Sequence, residues 1–183
     1  MIDIHINIGS NSGDREALIE QAVAAVSSAF PDAVEIRRSD IIETEPWGFD
    51  SPHPFLNIGL LVRLDCNPYK GDRNKGKVES ENEQSLVDDS AGISQKVKEE
   101  FAVEILHILQ RVQTSIDPSP HRDASGAYID RAIDIDLIAI NDWVVETPEL
   151  SLPHPRMLLR DFVMIPLRQL DPQWKHPLRY KTT

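Results

Sequence analysis

The sequence predicts an α+β sandwich, one sheet with helices packed on one or both faces. Three observations carry that expectation. Strict alternation of apolar and polar residues near the N-terminus, and apolar-rich runs at 55–65 and 133–140, read as strands. Apolar residues at helical spacing over 19–30 and 101–112 read as helices. The two kinds of segment interleave along the chain, and no internal repeat or low-complexity array is present.

In order, Ile2, Ile4, Ile6 and Ile8 of "IDIHINI" share one face, with polar residues on the other, which is the pattern of a half-buried strand. "GSNSGD" is a turn rich in helix-starting residues. Ile19, Val23, Val26 and Phe30 then recur at helical spacing. Asp14 and Glu16 stand where the helix dipole favours acids, and Pro31 closes the helix. "AVEIRRSDIIETEP" is extended, and "WGFDSPHP" is a loop by its Gly and Pro content. "FLNIGLLVRLD" is the clearest strand: Leu56, Ile58, Leu60, Val62 and Leu64 share one face, so Phe55 and Asn57 point together to the other.

Residues 67–98 are polar, charged and almost without large apolar groups. They can bury too little surface to offset the entropy of ordering, so a mobile insertion is expected there within one domain spanning 1–183. A second helix is expected over about 99–115, with Phe101, Ile105, Ile108 and Val112 on one stripe. "DPSPHRDASGAY" is a loop, "IDIDLIAI" a strand, and "PELSLPHPRM" a Pro-rich connection. "LLRDFVMIPLRQL" ends in a helix, and "DPQWKHPLRYKTT" is an irregular tail.

The formal net charge is −11 over 183 residues, which argues against a nucleic-acid or anionic-membrane surface. It leaves room for an anionic small substrate, because arginines cluster locally at Arg37-Arg38, Arg122 to Arg131 and Arg156 to Arg160. The single cysteine, Cys66, reads as a small free residue near a strand end, with no disulfide or Cys-rich metal pattern. "MIDIHINIGS" lacks the features of a signal peptide, and no apolar run approaches a bilayer span, so the expected compartment is the cytoplasm.

"RAIDIDLIAI" places Asp134 and Asp136 in an otherwise apolar strand. At strand spacing both carboxylates lie on one face, about 6.5–7 Å apart along the backbone. Unpaired, they would repel each other and suffer desolvation. Arginine salt bridges on an exposed face would relieve that, and so would a divalent cation. Oxygen-only ligation by few protein groups suits Mg²⁺, which takes its other oxygens from water and phosphate. Arg122, Arg131, His154, Arg156 and Arg160 flank the pair, and arginine's planar fork fits phosphate oxygens. The combination implies Mg²⁺ with a nucleoside triphosphate. No P-loop sequence is present. A nucleotidyltransferase arrangement is disfavoured, because more than a hundred residues separate "GSN" from the acids.

Four segments in order, "INIGSN", "TEPWGF…PFLN", "RAIDIDLIAI" and "LPHPRMLLRDFV", resemble the 6-hydroxymethyl-7,8-dihydropterin pyrophosphokinase family of folate biosynthesis. The resemblance covers the chain except 67–98 and the last dozen residues. It implies a ferredoxin-like sandwich, with one mainly antiparallel sheet and helices packed on it. It implies a soluble transferase that moves pyrophosphate from ATP to the pterin hydroxymethyl group and releases AMP, with two Mg²⁺ ions on Asp134 and Asp136. By the same resemblance Phe55 and Phe162 stack the pterin, Asn57 binds its edge, and Thr44, Glu45 and Trp47 line its pocket. Gln113, Arg122, Arg131, Leu137, Ser151, His154 and Arg160 match ATP-binding positions, with Arg122 and Arg131 assisting transfer beside the acids. The implied partners are small molecules only, and the implied state is a monomer.

The chain departs from the family pattern at three places. Gln113 stands where the family usually carries Glu, and Pro155 where Tyr is often found. The loop before the acids, "SPHRDASGAYIDR", retains only Arg122 and Arg131 of several arginines, with Tyr128 near a usual Trp and Asp130 replacing a Pro. His121 and Arg122 are candidates to take over for the missing arginines. A non-catalytic pterin- or nucleotide-binding relative is the alternative that this loop raises. Retention of both aspartates opposes it, and Mg²⁺-dependent AMP release separates the two.

Overall fold

Residues 1–65 and 93–179 are described by the computed structural model. Cys66 and most of the expected insertion lie outside them. The elements are β1 (Ile2–Ser10), α1 (Arg15–Ala29), β2 (Ala33–Arg38), β3 (Ile42–Thr44), β4 (Phe55–Leu64), α2 (Gln95–Ile116), β5 (Asp134–Ile140), β6 (Val145–Glu146), β7 (Ser151–Leu152) and α3 (Asp161–Leu170).

The main sheet runs β2-β4-β1-β5, with β3 pairing the start of β4. Every pairing is antiparallel, and β1 is central: Ile8 faces Ile58 on one side and Ile135 on the other. This is the β-α-β-β-α-β arrangement of the ferredoxin-like sandwich. The isoleucine face of β1 and the Leu56–Leu64 face of β4 form the main core with Ile19, Ala22 and Val26 of α1 and Ala102, Ile105 and Leu109 of α2.

The opposite face is not solvated, as a half-buried first strand would require. His5 and Asn7 of β1 are buried, and a second cluster forms there from Ile138, Met157, Val163, Met164 and Leu167. α3 packs on β4 and β1 across this face, covering positions that alternation alone assigns to water.

Both long helices begin at capping side chains. Asp14 Oδ1 accepts the Ala17 N–H at 3.2 Å, and Ser94 Oγ accepts the Val97 N–H at 3.4 Å. The second cap corrects two expectations. The helix starts at Gln95, so residues 95–98 are its first turn rather than insertion. Only Val97 in that turn is apolar, which is why composition alone reads it as loop. Its buried row is Ala102, Ile105 and Leu109, with Phe101, Ile108 and Val112 half-buried at the margins. Between β5 and α3 the chain also forms the short β6–β7 pairing, Val145 opposite Leu152, and a 3₁₀ turn over Met157–Leu159.

β5 is an edge strand whose outer polar groups are satisfied locally. Gln113 Oε1 accepts the Ile135 N–H at 2.6 Å, and the His154 N–H donates to the Ile138 carbonyl at 2.8 Å. The end of α2 and the segment after β7 are thereby fixed to the strand that carries the two aspartates.

Close packing of α3 rests on Gly59, in the middle of β4. A Cβ at Gly59 would lie 2.8 Å from Pro166 Cβ and 3.1 Å from Leu170 Cδ1. Gly59→Ala is expected to destabilise the protein by about 1–3 kcal/mol, measured by urea denaturation. An unchanged midpoint would show that α3 can move away from the sheet without loss.

Candidate active site

A solvent-open cleft of roughly 770 Å³ lies at the end of the sheet where β1, β4 and β5 meet. Its walls come from the loop before β4, the loop before β5 and the segment leading into α3. Eleven expected residues line it: Thr44, Glu45, Trp47, Phe55, Asn57, Arg131, Asp134, Asp136, His154, Arg160 and Phe162.

One part of the cleft is flat and aromatic. Phe55 and Phe162 both line it, and Phe49 meets Phe55 edge-on at 6.3 Å between ring centres. Asn57, also lining the cleft, is buried and donates from Nδ2 to Thr44 Oγ1 at 3.0 Å. That bond fixes the amide and leaves its carbonyl oxygen as an in-plane acceptor. Gly9 makes room for this arrangement: a Cβ there would stand 3.1 Å from Asn57 Oδ1 and 3.4 Å from Phe55 Cδ1. Trp47, 38% exposed, stacks on the Arg160 guanidinium at 4.7 Å.

The other part is ionic. Asp134 and Asp136 project from the same face of β5, with Asp136 opposite Asn7 of β1. Arg131 Nη2 reaches Asp134 Oδ2 at 2.7 Å, and His121 Nδ1 lies 3.6 Å from Oδ1. Burial raises the Asp134 pKa, but the His121 contact and the Arg131 guanidinium outweigh it, and the carboxyl ends below its ordinary value. Among the described residues the ion-pair partner of Asp136 is Arg160 Nη1, at 3.8 Å. Burial, reinforced by the negative charge of Asp134, pushes it up to about 7. His154 is pushed down to about 4 by burial, with the Arg160 charge adding to the effect, so its ring is neutral at pH 7.

The donor set fits a hard cation bound together with an anion. Two arginines balance two aspartates, yet Asp136 still carries a charge penalty that a divalent cation would remove. Among the described residues the buried Nε atoms of Arg131 and Arg160 have no hydrogen-bond partner. Among the described residues no cluster of three or more His, Cys, Asp or Glu side chains could hold a metal. A cation at the acid pair would therefore complete its shell with water and ligand oxygens, which is the habit of Mg²⁺.

Four expected residues stand outside the cleft. The Leu137 side chain alternates away from the acids into the main core, leaving only its backbone for a nucleotide. Gln113 holds the Ile135 N–H. Ser151 Oγ donates to Glu146 at 2.7 Å. Arg122 lies 3.8 Å over the Tyr128 ring and donates to the Gly126 carbonyl, so it is His121 that enters the cleft. Arg37 and Arg38 pair with Glu35 and Glu20 and take no part. Asn7, Gly9 and Phe49 line the cleft without having been singled out. Asn7 carries a sequence signal, being polar beside the isoleucine row. Phe49 has none, since nothing local distinguishes it from any loop aromatic.

A family model described as 7,8-dihydro-6-hydroxymethylpterin-pyrophosphokinase matches residues 5–94 and 93–172. A 2-amino-4-hydroxy-6-hydroxymethyldihydropteridine pyrophosphokinase of Porphyromonas gingivalis is 33% identical over 178 residues, covering 97% of this chain and 95% of that protein. The Bacillus subtilis protein of the same name is 28% identical over 170 residues, covering 92% and 78%. Among solved structures, an HPPK-DHPS in complex with substrates superposes with a TM-score of 0.56 at 12% identity. The match covers 96% of this chain and 41% of that one, and it bears on the fold alone.

Because the folded protein holds a proton on Asp136 more tightly than the unfolded chain does, stability of the ligand-free protein should fall as pH rises from about 4 to about 7. Asp136→Asn is expected to raise the melting temperature at pH 8, with the gain vanishing below pH 4. Equal melting temperatures at pH 8 would mean that the ionised carboxylate carries no penalty.

Proposed function

The chain belongs to the 7,8-dihydro-6-hydroxymethylpterin-pyrophosphokinase family, and from that premise we propose how its cleft divides the work. The enzyme transfers pyrophosphate from ATP to the hydroxymethyl group of 6-hydroxymethyl-7,8-dihydropterin in folate biosynthesis, and AMP is the second product.

The observation that supports the assignment of roles is the shared cleft. The acid pair of β5 and the aromatic slot of Phe55 and Phe162 open into one space. The pterin lies between Phe55 and Phe162, its edge on Asn57 and on the backbone near Thr44 and Glu45, with Trp47 over the slot. Arg131, His154 and Arg160 hold the triphosphate. Gln113, Ser151 and the Leu137 backbone flank the nucleoside end, and Arg122, which rests on the Tyr128 ring, would have to leave that ring to reach it. Asp134 and Asp136 would hold two Mg²⁺ ions, which would supply neutralisation of the charge that develops on the transferring phosphoryl group.

The protein's own contribution is positioning and electrostatics. The aromatic slot fixes the pterin hydroxymethyl group toward the acid pair. Arg131 and Arg160 offer guanidinium N–H groups to phosphate oxygens, and each guanidinium is held by a carboxylate and an aromatic ring. Neutral His154 adds no charge of its own beside Arg160. We read the chain as a single domain working as a monomer. ATP as co-substrate supports a cytoplasmic site of action. Among the described residues no helix is long and apolar enough to cross a membrane.

AMP formation from ATP should require both the reduced pterin and Mg²⁺. Absence of pterin-dependent AMP would overturn the assignment. Asp134→Asn and Asp136→Asn should each lower kcat on the order of 10²–10³-fold while the circular dichroism spectrum is preserved. Near-normal turnover in either would remove the metal role. Phe55→Ala should weaken pterin binding by about 3–10-fold, from a stacking contribution of about 0.5–1.5 kcal/mol. Its ATP affinity should be unchanged by calorimetric titration, and equal losses for both ligands would argue against stacking.

A further inference from the structure

The loop of residues 45–54 carries Trp47 and Phe49 into the cleft, and its C-terminal end is fastened to the opposite wall by a set of side chains outside the cleft. Asp130 is central to it. One carboxylate oxygen lies 2.7 Å from His53 Nδ1, and the other accepts from Asn11 Nδ2 at 2.6 Å. The same Asn11 Nδ2 reaches the His53 carbonyl at 3.3 Å. On its other side Asn11 pairs with Arg131 as a strand residue would: the Arg131 N–H donates to Asn11 Oδ1 at 2.9 Å, and the Asn11 N–H to the Arg131 carbonyl at 3.2 Å. Arg15 Nη1 holds the next carbonyl, Pro54, at 2.7 Å.

The two chain segments so joined serve opposite ends of the cleft. The loop ends at Phe55, in the aromatic slot. Asp130 immediately precedes Arg131, whose guanidinium pairs with Asp134 and lies 5.1 Å over the Phe55 ring. Asn11 is buried, whereas the His53 side chain is 63% exposed. An exposed histidine and a carboxylate contribute little to global stability as an ion pair. Their placement instead fixes where two loops meet. The Ser51 hydroxyl, His53 and Asn11 together hold the Asp130 carboxyl below its ordinary range, so it is ionised throughout the neutral range.

Resting on the pyrophosphokinase assignment, we propose that Asp130 is a positioning residue. Acting through His53 and Asn11, it clasps the 45–54 loop to the entry of Arg131, and so sets the width of the pterin slot relative to the phosphate site.

The test uses the full-length enzyme and four variants. Asp130→Ala and His53→Ala should each raise KM for the reduced pterin by about tenfold, the scale of a lost charge-assisted hydrogen bond. KM for ATP should stay within about twofold. The double variant should be no worse than Asp130→Ala alone, since both remove one clasp. Asp130→Asn, which can still accept from Asn11 and donate to a neutral His53, should restore most of the pterin affinity. Hydrogen exchange of the 46–54 amides in the ligand-free protein should accelerate in both alanine variants, whatever the substrate is. Additive losses, equal effects on both substrates, or unchanged exchange at 46–54 would overturn the clasp. Failure of the wild-type enzyme to use the pterin, with exchange accelerated as expected, would overturn the substrate assignment and leave the clasp standing. His53→Ala alters an exposed side chain, so loss of folding cannot account for its result.

Discussion

Two carboxylates side by side on one strand face are the constraint around which this end of the molecule is organised. Asp134 and Asp136 cannot both ionise in a half-buried cleft without compensation. Asp134 is compensated by Arg131 and His121. Asp136 pairs with the more distant Arg160, and its carboxyl is driven toward protonation. A divalent cation bound with a phosphate would restore the charge balance at this pair.

Holding that imbalance in place requires a rigid support, and the antiparallel sheet provides it. β5 is an edge strand, so its register is secured on one side by β1 and on the other by Gln113 and the His154 backbone. Gln113 therefore has a structural duty in addition to any contact with nucleotide. An ionised Glu accepts as Gln does, but it would add a third negative charge near the acid pair.

The aromatic slot depends on the same sheet through β4 and on loops that the sheet does not control. Phe55 and Asn57 are fixed by strand alternation, and Phe162 by the start of α3. Trp47 and Phe49 are placed only by loop contacts, through Arg160, Phe55, Tyr128 and the ties at His53 and Pro54. The loop before β5 carries few arginines, yet the cleft keeps positive charge. Arg131 and Arg160 remain in it, whereas Arg122 has turned onto Tyr128.

By itself the sequence determined every property that follows from local period and residue chemistry. Alternation set the strands and placed Asp134 with Asp136, and Phe55 with Asn57, because side chains two apart on a strand must share a face. Helical spacing and caps set α1 and the body of α2. Ordered resemblance then joined segments far apart into one site. The tertiary structure decided what depends on contacts between distant segments. It covered the polar face of β1 with α3, turned the Leu137 side chain into the core, sent His121 rather than Arg122 into the cleft, and tied Asp130 to His53. None of these follows from a local pattern, because each is the outcome of competition among groups brought together only when the sheet assembles.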